Sequence, residues 1–123
     1  MKKLYFIVIL AIISLNNVVY GKETTYDKQL FEKAQLEGKV VVVSSWIKYC
    51  TSCASQMKVL NKAKNDFDNI EYFAFDVTNK EIATFFNVQY QTTLLIFKDN
   101  KEIYRSIGET SKDLIYKAIR SSI

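Results

Sequence analysis

Two cysteines separated by two residues stand where a strand pattern gives way to a helix pattern. Cys50 and Cys53 are the only cysteines of the 123-residue chain. The valines at residues 40–43 precede them, and such a β-branched run without alternation is typical of a central strand covered on both faces. A pair at this spacing can close a disulfide within one helical turn, with the strand holding the first sulfur at the sheet edge. This geometry favours redox exchange over scaffolding.

The beginning of the chain has the pattern of a signal peptide. Lys2 and Lys3 supply a positive start, an apolar run covers residues 4–15, and Gly21 offers a small residue for cleavage. We therefore predict a signal peptide over residues 1–21 and one domain over residues 22–123. The predicted localisation is exported: periplasmic in a bacterium, otherwise secreted or lumenal. An uncleaved membrane anchor through residues 4–20 is the alternative, although a span normally needs ~20 apolar residues.

The composition fits one domain with a single core and gives no sign of nucleic-acid binding. Without Lys2 and Lys3, 15 of the 17 basic residues remain against 13 acidic ones, and the two signs are interspersed. Residues 24–123 contain no linker, repeat or low-complexity segment. We expect a monomer with a mixed, solvated surface.

The apolar periodicity predicts helices and strands in alternation. Strands are predicted over residues 40–46, 70–76, 93–97 and 102–107, with turn residues Asp99 and Asn100 between the last two. The expected helix caps are Thr24 or Thr25, Thr78 or Asn79, and Thr110 or Ser111. The residues expected to face inward are Tyr26, Leu30, Phe31 and Ala34 in the first helix; Cys53, Met57, Leu60 and Phe67 in the second; Ile82, Phe85 and Phe86 in the third; and Leu114, Ile115, Ala118 and Ile119 in the last.

This order predicts an α/β fold with a central mixed sheet flanked by helices on both faces. Strands joined through a helix pair in parallel, and the final hairpin pairs antiparallel. Such a sheet buries every apolar stripe in the chain.

From residue 24 onward, the chain resembles the thioredoxin family. The motifs are the segment from Trp46 to Cys53, Asp76 at a strand end, the strand over residues 93–98, and Gly108. The resemblance implies a thioredoxin-like fold and a thiol-disulfide oxidoreductase that acts on protein thiols or disulfides. It implies no cofactor and no metal, and a redox partner protein that membrane-bound systems can supply. The site residues implied are Cys50 and Cys53 as catalytic, with Trp46, Tyr49, Gln91 and Thr92 as substrate-binding.

The chemistry of the pair also follows from its position on a helix. A thiol at a helix start faces unpaired N–H groups and the positive end of the helix dipole, which lowers the pKa of Cys50. Cys53 lies on the apolar stripe with Met57 and Leu60, so we expect it to be buried. Cys50 is then the nucleophile, and Cys53 resolves the mixed disulfide formed on Cys50.

Two positions depart from the family pattern. Ser44 stands where family members carry a buried acid that helps to move the proton of the resolving thiol. Thr92 stands where they carry a cis-proline, and we expect a trans peptide bond after Gln91, because a non-proline cis bond costs ~2.5–4 kcal/mol. Thr92 could instead place a hydroxyl near Cys50, where it would tune the pKa of the thiol or prolong the mixed disulfide.

Other interpretations of the pair stay open at the level of sequence. A non-catalytic thioredoxin-like binding or assembly module with a structural disulfide is one, although so short a loop removes little unfolded-state entropy. A zinc site is disfavoured because it needs four ligands and the chain has no histidine, whereas copper(I) between two thiolates is harder to exclude. The direction of electron flow, as reductant, oxidant or isomerase, is not determined.

Overall fold

The computed structural model describes residues 24–123, so the predicted signal peptide lies outside the described residues. The elements in chain order are β1 Thr24–Thr25, α1 Lys28–Leu36, β2 Val40–Trp46, α2 Thr51–Asp66, β3 Ile70–Asp76, α3 Lys80–Phe86, β4 Thr93–Lys98, β5 Lys101–Ile107 and α4 Lys112–Ser122. Within this range, no helix is both long enough and apolar enough to span a bilayer.

The five strands form one mixed sheet in the order β1-β3-β2-β4-β5. β1 and β2 both run parallel to β3, whereas β4 runs antiparallel to β2 and β5 antiparallel to β4. The run of valines therefore forms part of the middle strand, as the absence of alternation predicted. The predicted α/β architecture is confirmed.

Each face of the sheet has its own apolar core because alternate residues of a strand point to opposite faces. On one face, Val40 and Val42 of β2 pack against α2 and α4 through Leu60, Ile115 and Ile119. On the opposite face, α1 and α3 pack against the sheet and enclose a second core. Its buried residues include Phe31, Ala34, Val41, Val43, Phe73, Phe75 and Phe86. Because β2 is buried on both faces, the position of its C-terminal end is fixed, and the two cysteines follow this end.

The structure corrects several sequence predictions at the helices. Asp27, and not Thr24 or Thr25, caps α1 by accepting a hydrogen bond from the Leu30 N–H at 3.0 Å, while the two threonines form β1. Asn79 and Ser111 cap α3 and α4, each being one of the two predicted options.

Three residues expected to face inward are about half exposed: Leu30, Phe85 and Leu114. Each directly neighbours a buried residue in its helix, and successive helical side chains diverge by roughly 100°. A flat sheet covers only a narrow stripe of a helix, so one member of each adjacent pair turns toward solvent.

Two leucines test how much of the stability comes from these buried stripes. Leu60 on α2 is 1% exposed and Leu36 at the end of α1 is 83% exposed. We expect Leu60→Ala to lower the free energy of unfolding by about 2–5 kcal/mol, because it leaves a cavity between α2 and the sheet. Leu36→Ala, the matched control, should change it by no more than about 0.5 kcal/mol. Equal losses in urea unfolding of the two variants would contradict this assignment of the core.

Candidate functional site

A disulfide joins Cys50 and Cys53 between the end of β2 and the first turn of α2. Cys50 is the N-cap residue of this helix, and its sulfur accepts a hydrogen bond from the Cys53 N–H at 3.2 Å. The first turn carries no acidic residue that would offset the positive end of the helix dipole. In the reduced protein, the same N–H group would stabilise a thiolate at Cys50.

The two cysteines differ in their exposure to solvent. Cys50 is partly exposed, whereas Cys53 is 2% exposed and faces the interior one turn before Met57. Cys50 is therefore the more accessible of the two to a partner molecule. This asymmetry is what sequential attack and resolution require.

An open groove with an apolar rim adjoins the disulfide. It is lined by Trp46, Ile47, Lys48 and Tyr49 before the pair and by Ala54 and Met57 after it. Tyr49 adopts a left-handed backbone conformation, with φ of 63°, and its side chain is fully exposed. Trp46 is partly buried and packs against the core that includes Leu60. The aromatic side chains thus form part of the surface next to Cys50.

Thr92 lies on the other side of the disulfide, in the turn before β4. All peptide bonds among the described residues are trans, including the bond before Thr92, as expected. Its φ of 59° is unusual for a β-branched residue and is typical of strained positions that the surrounding structure must hold in place. Backbone strain of this kind often occurs at functional sites.

Hydrogen bonds to both backbone groups of Thr92 hold it there. Its N–H donates to the Ser45 carbonyl at 2.9 Å, and its carbonyl accepts from the Gly108 N–H at 2.8 Å. The Gln56 side-chain amide donates to the same carbonyl at 3.2 Å and to the Glu109 carbonyl at 2.8 Å. The backbone of Thr92 is therefore bound within the protein, and the loop differs from one that offers this residue to a substrate strand.

Three hydroxyl and sulfur contacts converge on the Thr92 side chain, which is 3% exposed. Its Oγ1 lies 3.2 Å from Cys53 Sγ, 3.6 Å from Cys50 Sγ and 2.9 Å from Ser52 Oγ. Ser52 is exposed, and its Oγ also lies 3.4 Å from Cys50 Sγ. The hydroxyl that the sequence suggested near Cys50 is present, and it is closer still to Cys53.

Ser44, at the position of the family's buried acid, pairs with another hydroxyl. Its Oγ lies 2.6 Å from the Tyr72 hydroxyl, and both side chains are fully buried. No carboxylate is among the buried side chains of residues 24–123. Any proton leaving Cys53 must therefore reach an acceptor other than a buried acid.

Asp76 is a nearby carboxylate, since it ends β3 in register with Trp46. Hydrogen bonds from the Thr78 N–H and hydroxyl, at 2.9 and 2.7 Å, lower its pKa. Its Oδ1 accepts both hydrogen bonds and thus caps the turn after β3. This geometry matches the strand-end role expected for Asp76.

Ser45 and Gln56 help to hold the Thr92 turn, and neither was predicted from the sequence. Ser45 receives a hydrogen bond from the Thr93 N–H at 3.1 Å and donates to the Tyr90 carbonyl at 2.8 Å. Gln56 is fully buried although its helix is otherwise apolar on that side. A polar residue at helical spacing between Cys53 and Leu60 was the available signal for a buried hydrogen-bonding role.

The predicted substrate-binding residues surround the disulfide unevenly. Trp46 and Tyr49 line the groove, Thr92 is buried against both sulfurs, and Gln91 is exposed beside it. Their contacts with a substrate stay a prediction. Among residues 24–123, no group of three or more histidine, cysteine, aspartate or glutamate side chains is arranged to bind a metal ion.

Comparison with known proteins identifies the same family as the motifs do. The profile of the thioredoxin family matches residues 17–121. A thioredoxin H-type protein of Oryza sativa subsp. indica is 30% identical over 90 residues, which are 72% of this chain and 73% of the relative. An H-type thioredoxin of Fagopyrum esculentum is 25% identical over 88 residues, covering 71% of this chain and 76% of its own length.

Solved structures agree in fold. The protein Trxlp of Edwardsiella tarda superimposes with a TM-score of 0.72 at 27% identity, covering 80% of this chain and 98% of its own. A mutant thioredoxin of Halobacterium salinarum gives a TM-score of 0.73 at 17% identity, over 83% of this chain and 91% of its own, which supports the fold alone. With a Cys-x-x-Cys disulfide at the start of α2 in this fold, the chain belongs to the thioredoxin family and is a thiol-disulfide oxidoreductase.

Proposed function

We propose that this protein is an exported thiol-disulfide exchange protein that acts on the cysteines of other proteins. Cys50 forms the transient link to the substrate, and Cys53 releases the substrate by closing the intramolecular disulfide. The observation that carries the proposal is the unequal exposure of the two cysteines at the groove: Cys50 is partly exposed and Cys53 is buried.

The groove supports a protein substrate over a small one. It is open along one side of Cys50 and presents a fully exposed Tyr49 next to the partly buried Trp46. Exposed aromatic side chains beside a reactive atom are effective contacts for a polypeptide, because each buries a large area at low entropic cost. A redox partner, soluble or membrane-bound, would reach Cys50 over the same surface.

Export rests on the first 21 residues. Their positive start and apolar run have the order of a signal peptide, and outside the cytosol a Cys-x-x-Cys couple meets proteins whose disulfides persist. We expect the protein recovered from the exported fraction to begin near residue 22, as measured by intact mass. An intact chain recovered from the membrane would instead indicate an anchor through residues 4–20, and an unprocessed soluble chain would contradict export.

A redox titration with thiol trapping tests the exchange activity. We expect the Cys50–Cys53 bond to open and close reversibly across a glutathione series, because Cys50 is partly exposed to solvent. In the reduced protein, the pH dependence of the alkylation rate should give Cys50 a pKa below ~8.5, the value of an ordinary cysteine, because Cys50 caps a helix. Cys50→Ser is the control and should remove the rapid phase of alkylation.

A resolving-cysteine variant then distinguishes exchange from a binding module. Cys53→Ser should accumulate mixed disulfides with other proteins in the native compartment, while the Cys50→Ser, Cys53→Ser double variant should accumulate none. A disulfide that stays unreactive throughout the glutathione series, with no adducts on Cys53→Ser, would favour a non-catalytic module with a structural disulfide. The measured potential, compared with that of the redox partner, would also give the direction of electron flow.

The groove predicts a difference between protein and small-molecule substrates. We expect Tyr49→Ala to raise the KM for a protein disulfide by about threefold to tenfold, as loss of an exposed aromatic contact does, with little change in kcat. Reduction of hydroxyethyl disulfide should stay near the wild-type rate, because this small substrate needs no groove. Leu36→Ala, exposed but remote, is the control. An equal effect on both substrates would contradict a docking role for Tyr49.

A further inference from the structure

The hydroxyl groups of Thr92 and Ser52 connect the buried sulfur to the surface. Thr92 Oγ1 lies within 3.2 Å of Cys53 Sγ, and Ser52 Oγ lies 2.9 Å from Thr92 Oγ1. Ser52 is exposed, and its Oγ is also 3.4 Å from Cys50 Sγ. The three contacts form a continuous chain from the interior to the place where a substrate sulfur would be attached.

These distances belong to the state that resolution produces. In the disulfide form Cys53 has already given up its proton, and Thr92 Oγ1 is the hydroxyl in contact with its sulfur. Neither sulfur of a disulfide carries a hydrogen, so the hydroxyls donate among themselves or to sulfur. The contacts from Cys53 Sγ to Thr92 Oγ1 and from Thr92 Oγ1 to Ser52 Oγ are therefore those along which the Cys53 proton could leave.

We propose that Thr92 and Ser52 act as a proton relay that replaces the missing buried acid during release of the substrate. The Cys53 thiol attacks Cys50 Sγ, the Cys50–Cys53 bond forms, and the bond from Cys50 to the substrate sulfur breaks. The Cys53 proton passes to Thr92 Oγ1, the Thr92 proton to Ser52 Oγ, and the Ser52 proton to the departing thiolate. Both hydroxyls are regenerated, and the substrate leaves as a thiol.

The surroundings leave few other routes for this proton. Cys53 is buried, the buried side chains of the described region include no carboxylate, and Ser44 is paired with Tyr72 at 2.6 Å. A hydroxyl is a poor base by itself, so the relay needs a basic acceptor at its outer end. The departing sulfur becomes that acceptor as its bond to Cys50 breaks, and Ser52 Oγ lies 3.4 Å from Cys50 Sγ, the atom to which that sulfur is bonded.

The relay makes resolution depend on the basicity of the leaving thiol, and this dependence can be measured. Reduced protein is mixed with glutathione disulfide or with dithiobis(nitrobenzoate), and samples are quenched with acid at successive times. Intact mass then gives the amount of mixed disulfide on Cys50 at each time. Glutathione leaves as a basic thiolate that takes up the proton, whereas thionitrobenzoate leaves as a weakly basic one that does not. The first step, attack by Cys50, is recorded separately in the same experiment.

Thr92→Val removes the hydroxyl and keeps the β-branched shape. We expect it to slow the release of glutathione by about tenfold or more and that of thionitrobenzoate by less than about twofold. Only the glutathione thiolate is basic enough to accept the Cys53 proton at the outer end of the relay. With thionitrobenzoate, Cys53 must lose its proton to solvent in the wild type as well, so that reaction does not use the relay. Thr92→Ser should keep the wild-type ratio of the two rates. Ser52→Ala should slow glutathione release in the same selective way, and Ser55→Ala, an exposed serine on the same helix, should not.

The outcomes separate the relay from the exchange activity on which it rests. A mixed disulfide that never forms on Cys50 would refute the exchange cycle itself. If the mixed disulfide forms normally in Thr92→Val but both thiols are released equally more slowly, Thr92 has only a structural role. If both thiols are released at the wild-type rate, Thr92 has no role in resolution. Either result overturns the relay. If Thr92→Val does not fold, the selective effect of Ser52→Ala against Ser55→Ala decides the question.

Discussion

The burial of β2 on both faces and the hydrogen bonding of both its edges are the constraint on which the rest of the structure depends. β3 pairs with it along one edge and β4 along the other. Because this strand cannot shift without disrupting two cores, its end is fixed in space. Cys50 therefore begins α2 at a defined place, and the Ser45 carbonyl and hydroxyl are fixed opposite the turn that carries Thr92.

The protein keeps the thioredoxin geometry while changing the chemistry around its buried sulfur. Ser44 takes the place of a carboxylate, and its hydroxyl is hydrogen-bonded to the hydroxyl of Tyr72. Thr92 takes the place of a proline and is held by Ser45, Gly108 and Gln56 in a conformation that its side chain does not favour. Hydroxyl groups thus stand where a carboxylate and a pyrrolidine ring would otherwise lie, and a hydroxyl can both donate and accept a hydrogen bond.

Much of the fold was predictable from periodicity, and the exceptions have physical causes. The strands were found because the β-branched and aromatic runs are long and bounded by turn residues, as in Ile70–Asp76. The half exposure of Leu30, Phe85 and Leu114 was not found, because apolar character does not tell which of two adjacent helical residues a flat sheet covers. β1 was missed because two residues give no pattern and are held only by pairing with Phe73 and Ala74.

At the site, the sequence by itself determined the Cys-x-x-Cys pair, its place at a helix start, and the unequal burial of Cys50 and Cys53. These features follow from neighbouring residues in the sequence, because the strand, the helix cap and the apolar stripe all lie within a segment of about 20 residues. Only the tertiary structure decided that Thr92 contacts both sulfurs and Ser52, and that Gln56 and Gly108 hold it there. The contacts of Thr92 with Cys50, Ser52 and Cys53 join residues 39 to 42 positions apart, which come together only when β4 pairs with β2.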